Sequence, residues 1–143
     1  MIDYNIPDSV SKFQAKTPVR GWEGIKTFEH LDFKPHGGFT DGNAIQARLK
    51  FGSRDQFEIS VVTNINDGDG LYGHIDDNTY EVAMWFDGRD TMLPLAKYDD
   101  VLAHQSPIDI SRLMMQAHLN DFAWVTLLHS LRDERDKELG LDN

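Results

Sequence analysis

An α+β fold is predicted here: an antiparallel sheet of four or five strands built from two hairpins, with two C-terminal helices packed on one face. Three stretches carry that reading. Ala44 to Phe51 alternates, with Ile45, Ala47, Leu49 and Phe51 on one face and Gln46, Arg48 and Lys50 on the other. Tyr80 to Phe86 is apolar on both faces, so a strand there needs cover on two sides. Beyond Ser106, Ile110, Leu113, Met114 and Ala117 recur at helical spacing.

Taken in order, residues 1–17 mix polar positions with single apolar ones and contain Pro7, which suits an arm without regular structure. Phe28, Leu31 and Phe33 alternate only in part, and the stretch is read as a strand. His36 to Asn43 holds three glycines in eight positions and is a loop. Ala44–Phe51 then pairs with the β-branched run Phe57 to Thr63 across the turn Gly52-Ser53-Arg54-Asp55. Asn64 to Asn78 is longer than most connections in a compact domain, which marks it as functional or mobile. Tyr80 to Phe86, the turn Asp87-Gly88-Arg89-Asp90 and a returning strand to Tyr98 form the second hairpin.

Ser106 can cap a helix, Pro107 fits its first position, and Asp109 meets the free N–H groups of the first turn. Asn120 and Asp121 interrupt the apolar stripe, so a second helix is expected from about Asp121, with Trp124, Leu127, Leu128 and Leu131 on one face and Gly140 at its end. A seven-residue step through Ile110, Ala117, Trp124 and Leu131 leaves one long helix open. Arg132 with Asp136 and Asp133 with Lys137 are spaced for ion pairs along it. Trp85 and Trp124 are expected to face each other between sheet and helices. The whole, residues 1–143, reads as a single domain: the arm, a sheet over residues 19–98 and helices over residues 106–139.

The absence of cysteine removes disulfides, thiolate zinc sites and a cysteine nucleophile from consideration, and fits the cytoplasm. No window approaches the roughly 18 apolar residues of a membrane span, so no membrane association is expected. The net charge is −10, and residues 67–109 carry ten acids against Arg89 and Lys97. Bare nucleic acid is a poor partner for such a chain, because phosphate binding needs a basic footprint. A basic protein surface is the better match. The carboxylates available for it are Asp67, Asp69, Asp76, Asp77, Asp87, Asp90, Asp99 and Asp100, with Tyr72 as the interface aromatic.

Asp67 and Asp69 before Gly70 have some calcium-loop character, but that register puts Ile65 where the first carboxylate belongs, so no metal is expected. No phosphate-binding loop, dinucleotide fingerprint, nucleophile elbow or zinc-protease helix is present, and no cofactor is expected. His36, Asp41 and His74 could meet across loops as an alternative small-molecule site, serving a hydrolase or a sequestering protein for a signalling nucleotide. Phe122 and Val125 are apolar positions beyond the main helical face and could bury a second face in a homodimer.

The order Phe51-Gly52, Ile59-Ser60-Val61-Val62, Leu71-Tyr72-Gly73, Tyr80-Glu81-Val82-Ala83 and Asp99-Asp100-Val101-Leu102 resembles a group of small proteins from tailed bacteriophages and prophages. The likeness covers about residues 51–119 and departs at Asp55-Gln56-Phe57-Glu58, where glycines are usual in that group. It implies a phage setting and the host cytoplasm, with no catalytic residue to carry over. Joined to the acidic segment, it gives the expected function: an accessory binding protein that captures a basic surface of a host protein, such as the nucleic-acid channel of a restriction or CRISPR complex, by acidic nucleic-acid mimicry.

Overall fold

A computed structural model describes residues 24–35, 44–65, 73–88, 92–96 and 98–140. Five strands, β1 (Lys34–Pro35), β2 (Ala44–Phe51), β3 (Phe57–Asn64), β4 (Tyr80–Phe86) and β5 (Leu102–Gln105), form one sheet in sequence order. Every neighbouring pair is antiparallel. Two helices come next, α1 (Pro107–Asn120) and α2 (Phe122–Glu138), as the sequence leads one to expect of an α+β domain.

The β2–β3 hairpin is the most regular part. Its ladder runs without a slip from Phe51↔Phe57 to Ala44↔Asn64, because the alternation of β2 lets only one register bury its apolar face. Its turn is closed by Gly52, at φ +102°, where a side chain would stand 2.5 Å from Gln56 Oε1. Asp55 also adopts a positive φ, of 55°, and the buried Gln56 side chain accepts the Arg54 N–H at 2.9 Å. One β4 face, Tyr80, Val82 and Met84, turns inward beside Ile59 and Val61 of β3. With Phe51, Phe57 and Leu102 it meets Ile110, Leu113 and Met114 of α1 and Trp124 and Leu128 of α2 in one core. Burial of these side chains is the main source of stability, at about 1.5–3 kcal/mol for each large apolar group.

Four expectations are corrected. Phe28–His30 is a short 3₁₀ helix rather than a strand, and of the described residues in this stretch only Lys34–Pro35 pairs with the sheet. A turn of helix brings Phe28 and Leu31 to one side, where Phe28 and Phe33 close on the Tyr80 ring at centroid distances of 5.2 and 5.6 Å. The Phe28 N–H donates to Ser111 Oγ at 3.0 Å, tying the segment to α1. Second, β4 does not pair with a strand ending at Tyr98. Met92 bridges Trp85 and the Leu93 N–H donates to Met84 O, but Pro94 has no N–H to continue a ladder. Leu93, Pro94, Leu95 and Ala96 are buried in succession, a pattern without the two-residue period of a half-exposed strand. The segment folds under the core, and β4 pairs with β5 instead, through Val82↔Leu102 and Tyr80↔Gln105.

Third, Trp85 does not face Trp124. It pairs with Glu58 in the β3–β4 register, on the face opposite to Val82 and Met84, and carries the Arg48 guanidinium 5.6 Å from its ring. Trp124 meets the edge of Phe57 at 6.1 Å. Fourth, Arg132 turns away from Asp136 and binds Asp100 at 2.9 Å and the carbonyls of Ala96 and Asp99. Asp136 is held by Arg135.

The helix starts and stops agree closely with the sequence. Ser106 Oγ accepts the Asp109 N–H and Asp109 Oδ2 accepts the Ser106 N–H, each at 3.1 Å, with Pro107 in the first helical position. The stripe breaks at Asp121, whose φ of 52° and ψ of −128° end α1. Gly140, at φ +71°, lies just beyond α2. Both sheet edges are blunted against strand addition: β1 is short and made of lysine and proline, while β5 carries His104 at φ 55° and a Gln105 amide that donates to Ala103 O at 2.8 Å.

Candidate functional site

The acidic residues of the expected binding surface occupy two places. Asp76 and Asp77 form the 3₁₀ helix Ile75–Asp77 that leads into β4, and both are exposed. Asp87 lies just beyond the other end of that strand, about 20 Å away at the usual strand rise. Asp99 and Asp100 precede β5, whose Leu102 is level with Val82. The described carboxylates thus stand at both ends of β4 rather than side by side. Asp67, Asp69, Asp90, Tyr72, His36 and Asp41 lie outside the described residues.

Their ionic surroundings differ. Asp100 is neutralised by Arg132. Among the described residues Asp77, Asp87 and Asp99 pair with no lysine or arginine, and Asp76 has only the His74 ring at 3.7 Å. Five of the nine described lysines and arginines pair with other carboxylates: Lys26 with Asp55, Lys34 with Asp32, Arg48 with Glu58, Arg54 with Asp121 and Arg135 with Asp136.

His74 is a cap. Its Nδ1 accepts the Asp76 N–H at 3.0 Å, and its carbonyl accepts the Asp77 N–H at 3.1 Å and the Thr79 N–H at 3.2 Å. A ring nitrogen so engaged is not available as a base while the turn is formed. The described residues contain no cluster of three or more histidines and carboxylates able to hold a metal ion. Of the two apolar positions offered to a dimer, Val125 is in the core, whereas Phe122 is exposed, with its ring tilted against that of Phe86 at a centroid distance of 6.0 Å.

One feature that sequence reasoning missed is an open cleft of about 660 Å³ beside the β2–β3 turn and the end of β4. Its charged walls are Lys50, Arg54, Asp55, Glu58 and Asp87. Arg54 and Gln56 also reach from this turn to Asp121 at the helix break, with contacts of 3.1 and 3.0 Å. The Gln56 amide first, and then the Arg54 guanidinium, hold the Asp121 carboxyl below the usual carboxylate range. The only signal in the sequence was the polar Gly52-to-Gln56 turn itself; that it meets Asp87 and Asp121 depends on a register that only the folded sheet reveals.

No described helix is long and apolar enough to cross a membrane. Compared with known proteins, the chain matches no family model, no curated protein and no solved structure.

Proposed function

We propose that the protein works by binding rather than by turnover, and that its partner is a basic surface of another protein. The observation that carries this reading is the unneutralised state of Asp76, Asp77 and Asp99, which are exposed and lack a lysine or arginine among the described residues. Exposed carboxylates without internal counter-ions raise the local concentration of a cationic partner and speed its docking. The phage-like sequence pattern adds a setting: a host protein whose nucleic-acid channel is basic, in a restriction or CRISPR complex, to which the carboxylates would present themselves in place of phosphates. Because they stand at two ends of β4, such a partner would be gripped at two points. The signalling-nucleotide reading has less support, since His74 is engaged in its own turn.

Affinity purification from host lysate tests this with the full chain at low and high salt. Capture of a basic protein is expected at about 50 mM salt, with a loss of tenfold or more at about 500 mM, where the screening length falls to a few ångströms. The triple variant Asp76→Asn, Asp77→Asn, Asp99→Asn is expected to lose the same partner. Capture that is indifferent to both salt and these substitutions would remove the proposal.

A further inference from the structure

We propose that the cleft beside the β2–β3 turn binds a small zwitterion, an amino acid or dipeptide, with Asp87 receiving its ammonium group and Lys50 its carboxylate. The volume, about 660 Å³, falls within the range of small-molecule sites. Its charges decide the class of ligand. Three of the five already have partners: Arg54 lies 3.1 Å from Asp121, Glu58 lies 3.3 Å from Arg48, and Asp55 lies 4.0 Å from Lys26. Lys50 and Asp87 pair with no charged group among the described residues.

They also do not pair with each other, and the sheet explains why. Lys50 is level with Glu58 and Trp85, while Asp87 lies two residues beyond Trp85 on the third strand. Two strand spacings and two residues of rise separate their backbones by about 12 Å. One molecule carrying both charges can span what the two side chains leave between them. A bare cation would meet Lys50 and Arg54, and a bare anion would meet Asp55, Glu58 and Asp87, so the walls favour a ligand that is neutral overall but charged at both ends.

The site is also preformed. Asp55, Asp87 and Gly88 all hold positive φ angles in its lining, and the Asp87 N–H donates to Gln56 O at 2.8 Å, fixing the β4 end against the turn. Arg54 and Gln56 are anchored on Asp121, so that wall of the cleft is fixed before a ligand arrives and the ordering left is that of the Lys50 and Asp87 side chains. This inference is independent of the capture of a basic partner, because it uses neither Asp76, Asp77 nor Asp99.

The test is amide NMR on the full chain, titrated with glycyl-leucine, its N-acetyl form without an ammonium, its C-terminal amide without a carboxylate, and inorganic phosphate. Saturable shifts confined to residues near Gln56, Glu58 and Gly88 are expected with glycyl-leucine below about 10 mM, the weak range suited to an open site. Each capped analogue is expected to bind about tenfold more weakly, and so is glycyl-leucine to Lys50→Gln and to Asp87→Asn, since each removes one charge-assisted contact. Both side chains lie on exposed residues, and asparagine tolerates the positive φ at position 87, so unchanged spectra away from the cleft are expected to confirm folding. No saturable shift with glycyl-leucine, equal binding of either capped form or of phosphate, or variants that bind like the wild type would each overturn the proposal. Either result leaves the salt-dependent capture experiment to stand or fall separately.

Discussion

Residues 44–64 and 80–98 both present an extended apolar run and an aspartate-and-glycine turn, yet only the first becomes a complete hairpin. In the first, eight residue pairs form in one register. In the second, the described contacts with β4 are those of Met92 and Leu93, and Leu93, Leu95 and Ala96 join the core instead. A turn signal, then, reverses the chain in both places, but the returning segment decides whether a ladder grows. A proline in that segment, with no N–H to offer a ladder, favours packing over pairing. The side of β4 left open by that choice is taken by β5.

Both regions feed the core, and Phe57→Ala is the strongest way to test the part that the complete hairpin plays in it. Phe57 is 1% exposed and touches the rings of Phe51, Phe86 and Trp124. Truncation is expected to cost about 3–5 kcal/mol in urea denaturation, combining lost transfer energy with a cavity. A cost below about 1 kcal/mol would mean that the site collapses freely and that the hairpin is not the centre of the core.

The two turns give a finer contrast. Gly52 and Gly88 both hold positive φ, at +102° and +116°, so alanine is strained at either. Only at Gly52 does the added carbon also meet neighbours, with Gln56 Oε1 at 2.5 Å and the Phe57 ring at 3.1 Å; at Gly88 nothing lies within 4 Å. Gly88→Ala is thus expected to cost about 1 kcal/mol, and Gly52→Ala about 2 kcal/mol, because Gln56 must also give up its contacts. Equal losses in parallel thermal melts would show that the closed turn has no tighter packing than the open one.

Much of this organisation was legible in the residues, and the exceptions share a cause. The β2–β3 hairpin, the Ser106–Asp109 capping box and the break at Asp121 are all local: each depends on neighbours within a few positions, which is what periodicity and capping rules read. The orientation of Trp85, the second strand partner of β4 and the destination of Arg132 are not local. Tyr80 to Phe86 is apolar on both faces, so composition could not say which face the helices would cover. Arg132 had an acid four residues away but found Asp100 and two carbonyls, 32 to 36 positions back, better placed around its planar guanidinium. The candidate surfaces obey the same rule. That the chain is acidic is plain from its composition, whereas the division of the carboxylates between two ends of β4, and the cleft, require the sheet.

The smallest effect bears on how the complete hairpin holds the helices. Asp121 sits between α1 and α2 in a conformation that side chains seldom adopt, and its carboxylate accepts from Gln56 and Arg54 of the β2–β3 turn. Those donors lower its pKa in the folded protein below the ordinary value near 3.9. A depressed carboxylate adds stability that is fully present above the unfolded value and is lost as the pH falls through the folded one. Asp121→Asn keeps a residue tolerant of positive φ but removes the charge, so it is expected to cost about 1 kcal/mol at neutral pH, discounted for partial exposure. That difference from the wild type should shrink in denaturation as the pH is taken progressively below the ordinary carboxylate range, because the native carboxylate is then itself protonated. If the gap between the two proteins stayed constant from neutral pH down through that range, the turn would be holding the helix break through shape alone and not through charge.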